Sequence, residues 1–256
     1  MNRRPTLLLS VLFALFTVSQ GASGAGLERG SAEELGFSAP RLALAHEMLM
    51  QHVEDGRVAG LVAGVARHGK IVYLESMGWN DIERGNSMQD NSLFQIRSMS
   101  KPLTAVAAMQ LVEQGKLRLD DPVSKYIASF AEMRVFLDPE ARDFSQTRPA
   151  NREMTIEDLL LNTAGLSHRF GALYRENEVR SRGDSLAELV EKVAAVPLIG
   201  DPGEQWVYSI SITVLGRVIE IVSGQSFDDY LDENIYGPLQ MLDTAFYVPT
   251  EKVARL

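Results

Sequence analysis

Cysteine is absent from this chain of 256 residues, which excludes disulfide bonds, thiolate catalysis and cysteine-ligated metals. Runs of lysine or arginine are also absent and the formal net charge is -9, so neither nucleic acid nor an anionic membrane is an expected partner. What the chain does have is a globular composition, 45% hydrophobic and 23% charged. This hydrophobic content is enough to form a full core in one large domain or in two interleaved domains.

The N-terminus has the pattern of a secretory signal peptide. Basic residues (Arg3 and Arg4) precede an apolar run of about 13 residues, 6–18, and small residues follow at 19–24. The run is too short to span a bilayer comfortably, so an uncleaved membrane anchor is the less favoured alternative. We expect residues 1–24 to be removed near Gly24 and the mature chain to be exported, to the periplasm or outside the cell, without stable membrane association.

Ser98 and Lys101 form an S-x-x-K motif at the start of a predicted helix that ends at Gly115. Residues three apart share one face of a helix, so the hydroxyl and the amine are expected to meet. Pro102 supports a helix start at or near Ser98, since proline is tolerated in the first turn. A neutral lysine there can take the serine proton and make Ser98 a nucleophile. The motif alone is common by chance, so it needs context.

The rest of the chain predicts one hairpin and several helices. Expected elements are a helix over 39–55, strands over 61–66 and 71–76 joined by a turn at 67–70, capped helices beginning at Thr155 and Ser185, and a helix over 212–223. Gly78 is expected to end the second strand, and Gly165 the helix that begins at Thr155. Tyr208 stands at the start of the helix over 212–223, where it can share a proton with a lysine.

Five motifs occur in the order typical of the serine beta-lactamase-related superfamily, and the chain resembles its class C beta-lactamase, family VIII carboxylesterase and D,D-peptidase branch. They lie at residues 94–101 (FQIRSMSK), 119–123, 155–166, 202–209 and 238–244. The resemblance implies Ser98 as the acylated nucleophile, Lys101 as its proton-accepting partner and Tyr208 as the tyrosine of the second motif. It also implies acyl transfer from a small-molecule ester or amide, with the Ser98 N–H as one oxyanion donor and no metal or cofactor.

The fold that this resemblance implies is α/β (α+β): an antiparallel sheet flanked by helices, with an inserted helical domain. We expect an α/β domain from residues 25–100 and 209–256, a helical domain from 101–208, and the site in the cleft between them. Composition and periodicity alone indicate no sheet order.

Two features depart from the family pattern. Ile210 stands where beta-lactamases usually carry an asparagine that binds the substrate amide, which favours an esterase-like hydrolase. No K-T-G or H-x-G type motif follows Tyr208, so the strands that carry the second oxyanion donor are expected to be missing and one sheet edge to be unpaired. Two hypotheses stay open: an exported serine hydrolase, or a truncated, non-catalytic remnant that binds acyl or peptidoglycan-like ligands.

Overall fold

The computed structural model describes residues 27–140, 143–168, 171–179, 181 and 183–256. The predicted signal peptide, 1–24, lies outside the described residues. The chain divides into two compact units at the boundary between Asp90 and Asn91. The predicted split into domains of 25–100 with 209–256 and of 101–208 stays a prediction. Within the described ranges, no helix is both long and apolar enough to span a bilayer.

The first unit is built on one long hairpin. Its elements are β1 (Glu28–Arg29), α1 (Ala39–Glu54), β2 (Gly60–Arg67), β3 (Lys70–Asp81) and β4 (Asn86–Ser87). The antiparallel pair β2 and β3 forms the sheet, β1 adds to β3 in parallel and β4 in antiparallel orientation, and α1 lies against β3. The strand order β1-β3-β2 leaves β2 at an edge, as the resemblance predicts.

The hairpin turn has the predicted position and a clear physical reason. His68 (φ 52) and Gly69 (φ 73) both adopt positive φ, as a two-residue type I′ turn requires. The predicted end of the second strand at Gly78 is wrong, because β3 continues to Asp81. Gly78 adopts φ 75, and a Cβ there would lie 2.4 Å from the carbonyl oxygen of Ala59, so glycine lets the two strands stay close at this point.

The second unit is mainly helical. Its elements are α2 (Ser100–Glu113), β5 (Arg134–Phe136), β6 (Thr147–Pro149), α3 (Ile156–Leu161), α4 (Ala172–Glu176), α5 (Leu186–Ala194), α6 (Ser211–Ser223) and α7 (Phe227–Leu231), with short 3₁₀ turns and one π-helical turn, Asp232–Tyr236. Helix α6 packs against α2, α3 and α5. Its buried face includes Val214 and Leu215, which meet the core that contains Ala108 and Leu111 of α2. This core holds α2, and therefore the residues at its start, in a fixed position.

The predicted capping boxes at the starts of α3 and α5 are both present. Thr155 and Asp158 exchange side-chain and backbone hydrogen bonds, and Ser185 and Glu188 do the same. The predicted end of α3 at Gly165 is wrong. The helix ends at Leu161, and Asn162 takes the left-handed conformation (φ 58) that caps it.

Candidate active site

Ser98 lies in a short 3₁₀ turn, Arg97–Met99, immediately before α2. The Met99 N–H donates to the Ile96 carbonyl at 2.9 Å, and the Ser100 hydroxyl donates to the Arg97 carbonyl at 2.6 Å. Arg97 has φ 44, a left-handed conformation that is uncommon for any residue except glycine. Ser98 is exposed just before the N-terminus of α2, close to the predicted helix start.

The amine of Lys101 reaches the hydroxyl of Ser98. The distance from Nζ to Oγ is 3.2 Å, within hydrogen-bond range. Lys101 lies on the first turn of α2, three residues after Ser98, which is the spacing that places two side chains on one helix face. The predicted pairing of these two residues is therefore present in the structure.

Tyr208 joins the pair from a distant part of the chain. Its hydroxyl accepts a hydrogen bond from Lys101 Nζ at 2.7 Å, and the same Nζ lies 4.4 Å from the centroid of the tyrosine ring. The lysine thus contacts the oxygens of both Ser98 and Tyr208. The structure brings together all three residues predicted as catalytic, in a chain of contacts along which one proton can move.

Asn162 positions the backbone on both sides of Tyr208. Its carbonyl accepts the Val207 N–H at 2.9 Å, and its Oδ1 accepts the N–H and the hydroxyl of Ser209 at 3.2 and 3.3 Å. The Ser209 hydroxyl is buried and lies 2.6 Å from that of Ser211, in the first turn of α6. One residue at the end of α3 therefore fixes the segment that carries the tyrosine.

An ion pair between buried Asp201 and half-exposed Arg148 anchors the start of the same segment. Asp201 is 1% exposed, binds the guanidinium of Arg148, and accepts the backbone N–H of Asn151 at 2.8 Å. The Arg148 hydrogen bonds hold the pKa of Asp201 below its usual range. The Gly203 N–H also donates to the Thr163 carbonyl at 2.8 Å. The loop from 201 to 209 is thus attached at both ends.

Ser98 and Tyr208 open into one cavity of about 950 Å³. His168 and Ser100 also line it, as does the π-helical turn with residues of 241–249. Ile210 does not line it: its side chain is 1% exposed and packs in the core. The position that carries a substrate-binding asparagine in typical beta-lactamases therefore presents no polar group to this cavity.

Most of the chain matches one known protein family. The sequence model of the family described as Beta-lactamase matches residues 46–256. The chain belongs to the beta-lactamase family. This confirms the resemblance that the five motifs indicate.

Several relatives and solved structures are similar to this family member. Protein Rv1367c of Mycobacterium tuberculosis is 36% identical over 205 residues, 79% of this chain and 51% of that protein. Esterase EstB of Burkholderia gladioli is 34% identical over 204 residues, 77% of this chain and 49% of the esterase. The structure of EstCE1, a hydrolase with promiscuous acyltransferase activity, has a TM-score of 0.69 and 29% identity, covering 79% of this chain and 53% of EstCE1.

The predicted fold class, a mixed α/β beta-lactamase-like fold with an antiparallel sheet and helices, is confirmed by this structural match. The chain spans about half the length of the curated relatives it matches. The coarse assignment to a hydrolase family that contains esterases is likewise supported.

Sequence reasoning missed three residues around the beta-lactamase-like site. Asn162 has a local signal, since asparagine tolerates the left-handed conformation, but its contact with Ser209 spans 47 positions. The ring centroids of His168 and Trp206 lie 5.8 and 6.3 Å from that of Tyr208. Trp206 is two residues before Tyr208, the spacing that places two side chains on one face of an extended segment, whereas no spacing rule predicts the contact with His168. Among the residues that the structure describes, no three His, Asp or Glu side chains group as metal ligands do.

Proposed function

We propose that the chain is a serine hydrolase that forms an acyl-enzyme on Ser98 and acts on esters in preference to beta-lactams. One observation carries the proposal: Lys101 Nζ lies within hydrogen-bond reach of both the Ser98 and Tyr208 hydroxyls, beside a cavity large enough for substrate. A nucleophile in contact with a base that is held by a third group is the arrangement that covalent catalysis needs.

In the proposed reaction, Ser98 Oγ attacks the carbonyl carbon of the ester while its proton passes to the amine of Lys101. The bond from that carbon to the alcohol oxygen then breaks, and the leaving alkoxide takes a proton through Lys101 and Tyr208. Water attacks the acyl carbon, gives a proton to the same pair, and releases Ser98 with its own proton restored. One ester and one water give one acid and one alcohol.

The oxyanion formed in each step needs donors. The backbone N–H of Ser98, which lies just before α2, is proposed as one of them. Backbone N–H groups at the N-terminus of a helix have no acceptor within the helix and can bind an anion.

Two features support an esterase over a beta-lactamase. Ile210 is buried and offers no hydrogen bond to a substrate amide, and one relative of similar sequence is named as an esterase.

The test is hydrolysis of p-nitrophenyl acetate and of a chromogenic cephalosporin, with acylation followed by intact mass. We expect ester turnover and a covalent adduct, both abolished in Ser98→Ala and both retained in Ser145→Ala, an exposed serine outside the cavity. A folded wild-type protein with no adduct and no turnover contradicts the proposal and favours the alternative, a non-catalytic protein that binds acyl ligands.

Export and the nature of the partner are also proposals. We propose that the chain is exported to the periplasm or beyond the cell, acts on a small-molecule ester or amide, and binds neither nucleic acid nor membrane stably. Fractionation of expressing cells with N-terminal sequencing of the product tests the first part. An unprocessed protein found only in the cytoplasm contradicts it.

A further inference from the structure

The wall of the cavity beside Ser98 is largely apolar and much of it faces solvent. Phe94 and Ile96 line it just before the nucleophile, and Met241, Phe246, Tyr247 and Val248 line it from the C-terminal segment. Phe94, Phe246 and Tyr247 are 54, 51 and 79% exposed. Soluble proteins rarely expose contiguous apolar patches of this kind without a binding role. Ser98 lines the same cavity, so a substrate that reaches Ser98 also contacts this apolar wall.

The charged side chains that line this cavity carry a small excess of carboxylates. Two cationic side chains (Arg97 and Lys252) accompany three carboxylates (Asp232, Glu233 and Asp243). Asp243 binds both Lys252 and Arg255, at 2.9 and 2.6 Å, and Glu233 accepts a hydrogen bond from Gln225 at 2.5 Å. Such a lining gives an anionic substituent no long-range attraction.

The apolar wall is also fixed in place. The guanidinium of Arg255 donates to the Asn91 carbonyl at 2.7 Å as well as binding Asp243, and the Leu93 N–H donates to the Arg255 carbonyl at 2.7 Å. Lys252 Nζ donates to the Leu242 carbonyl at 2.7 Å. These contacts tie residues 242–255 to the segment that leads to Ser98. A preformed apolar cavity binds an apolar group without first having to order its own walls.

We propose that this cavity takes an uncharged ester with an apolar group of about six or more carbons, in preference to a small or anionic ester. The inference rests on the proposed hydrolase function and adds the substrate class. A volume of about 950 Å³ is near the upper end for pockets that enclose drug-sized ligands, and an acetyl group leaves most of it empty. Burying each further methylene improves binding by up to about fourfold.

The first experiment compares kcat/KM for p-nitrophenyl acetate, butyrate and octanoate. We expect a rise of at least tenfold from acetate to octanoate, carried mainly by KM. A second arm compares ethyl acetate with octyl acetate, and shows whether the apolar group belongs to the acyl or the alcohol side. A third arm uses a p-nitrophenyl half-ester of a dicarboxylic acid of octanoate length, expected to react at least tenfold more slowly than octanoate.

Variants test whether this wall is responsible. Phe246→Ala and Tyr247→Ala are each expected to lower the octanoate-to-acetate ratio of kcat/KM about fivefold. Both side chains are at least half exposed, so their truncation leaves the core intact. Leu239→Ala is the matched control, because Leu239 is 67% exposed on a nearby segment but does not line the cavity. Its ratio is expected to equal that of the wild type.

Four results overturn the inference. Acetate turnover with flat dependence on chain length in both ester series leaves the hydrolase proposal standing and removes the substrate class. A preference for the anionic half-ester indicates recognition by Arg97 instead. Self-association that Tyr247→Ala abolishes, with no change in the ratio, identifies the wall as a contact between two copies. Absence of turnover and of any Ser98 adduct with every ester removes the hydrolase proposal itself, and the inference with it.

Discussion

Lys101 Nζ contacts Tyr208 in two ways, through the hydroxyl at 2.7 Å and over the ring at 4.4 Å from its centroid. Two such contacts from one side chain require the lysine and the ring to keep their relative orientation. The same nitrogen lies 3.2 Å from Ser98 Oγ. The tyrosine therefore holds the lysine amine next to the Ser98 hydroxyl, and in the proposed reaction it also shares the proton of that amine.

Tyr208→Phe separates these two roles. It keeps the ring beside Lys101 and removes the hydroxyl, so we expect kcat for ester hydrolysis to fall about 10²- to 10³-fold with folding unchanged, because a positioned acid–base group contributes about this much. Steady-state kinetics and circular dichroism measure both. The control is Tyr230→Phe, a buried tyrosine outside the cavity whose hydroxyl makes a single long contact of 3.5 Å. Full activity in Tyr208→Phe contradicts a role in proton transfer.

Asn162 holds the segment that carries Tyr208 but does not line the cavity, so substitutions there test the effect of positioning alone. In Asn162→Gly the left-handed backbone (φ 58) is retained and only the hydrogen bonds to Ser209 are lost. Asn162→Ala loses the same bonds and adds about 1 kcal/mol of backbone strain. We expect kcat to fall similarly in both variants, because both lose the bonds that position the Tyr208 segment. In urea unfolding their stabilities are expected to be similar, since the strain of alanine and the unfolded-state entropy of glycine are of the same size. Unchanged kcat in both variants contradicts a positioning role.

Asp201 predicts how stability depends on pH. Its carboxylate is buried against Arg148, and its folded pKa is lower than its unfolded pKa of about 4. The contribution to stability is therefore complete above about pH 4 and is lost as the pH falls through the folded pKa. We expect Asp201→Asn to reduce the free energy of unfolding by about 1 kcal/mol at pH 7, since it removes a charge-assisted hydrogen bond to Arg148, whose half-exposed guanidinium water can still solvate.

Urea unfolding at pH 7 and near pH 3 measures this difference. The difference in the free energy of unfolding between wild type and Asp201→Asn is expected to be smaller at the lower pH. A gap that stays constant shows that the charge of Asp201 is not what stabilises the loop. Asp138→Asn serves as control, because Asp138 is exposed and its side chain accepts only the Glu140 N–H among the contacts of the described residues.

Arg97 predicts that glycine is tolerated at a left-handed position beside Ser98. Its φ of 44 is left-handed, which glycine adopts without a steric penalty. Arg97→Gly is expected to change the free energy of unfolding by less than about 1 kcal/mol, because relief of strain offsets the greater entropy of the unfolded chain, whereas Arg97→Val destabilises by about 1–2 kcal/mol. Thermal unfolding of the two variants checks that Arg97→Val is less stable than Arg97→Gly. Equal losses in both variants contradict strain at this position.

Local patterns predicted much of this protein, and distant contacts account for what they missed. The Ser98 and Lys101 pair follows from a spacing of three, and the caps at Thr155 and Ser185 follow from side chains that bond their own neighbours. Such interactions are encoded within a few residues. The motif around Tyr208 was recognised by resemblance, but its distance from Lys101 depends on how α2 and α6 pack.

The errors have equally specific reasons. Gly165 was a reasonable helix stop, yet Asn162 ends α3 three residues earlier because its side chain and carbonyl both find partners near Tyr208. Gly78 was expected to end a strand, but its positive φ lets β3 stay paired where the neighbouring backbone is closest. The cavity wall was not predicted, since it joins residues 91–97 to 241–255 and no periodicity links them.

The bond from Arg255 to the Asn91 carbonyl joins residues 164 positions apart. Closing so long a loop costs chain entropy before any contact stabilises the closed form. We therefore expect this part of the structure to form late in folding. During synthesis the serine and lysine emerge early and can pair at once, but the segment in front of them has no fixed position until residue 255 has emerged. A nascent chain therefore carries Ser98, the proposed nucleophile, well before the pocket in front of it has formed.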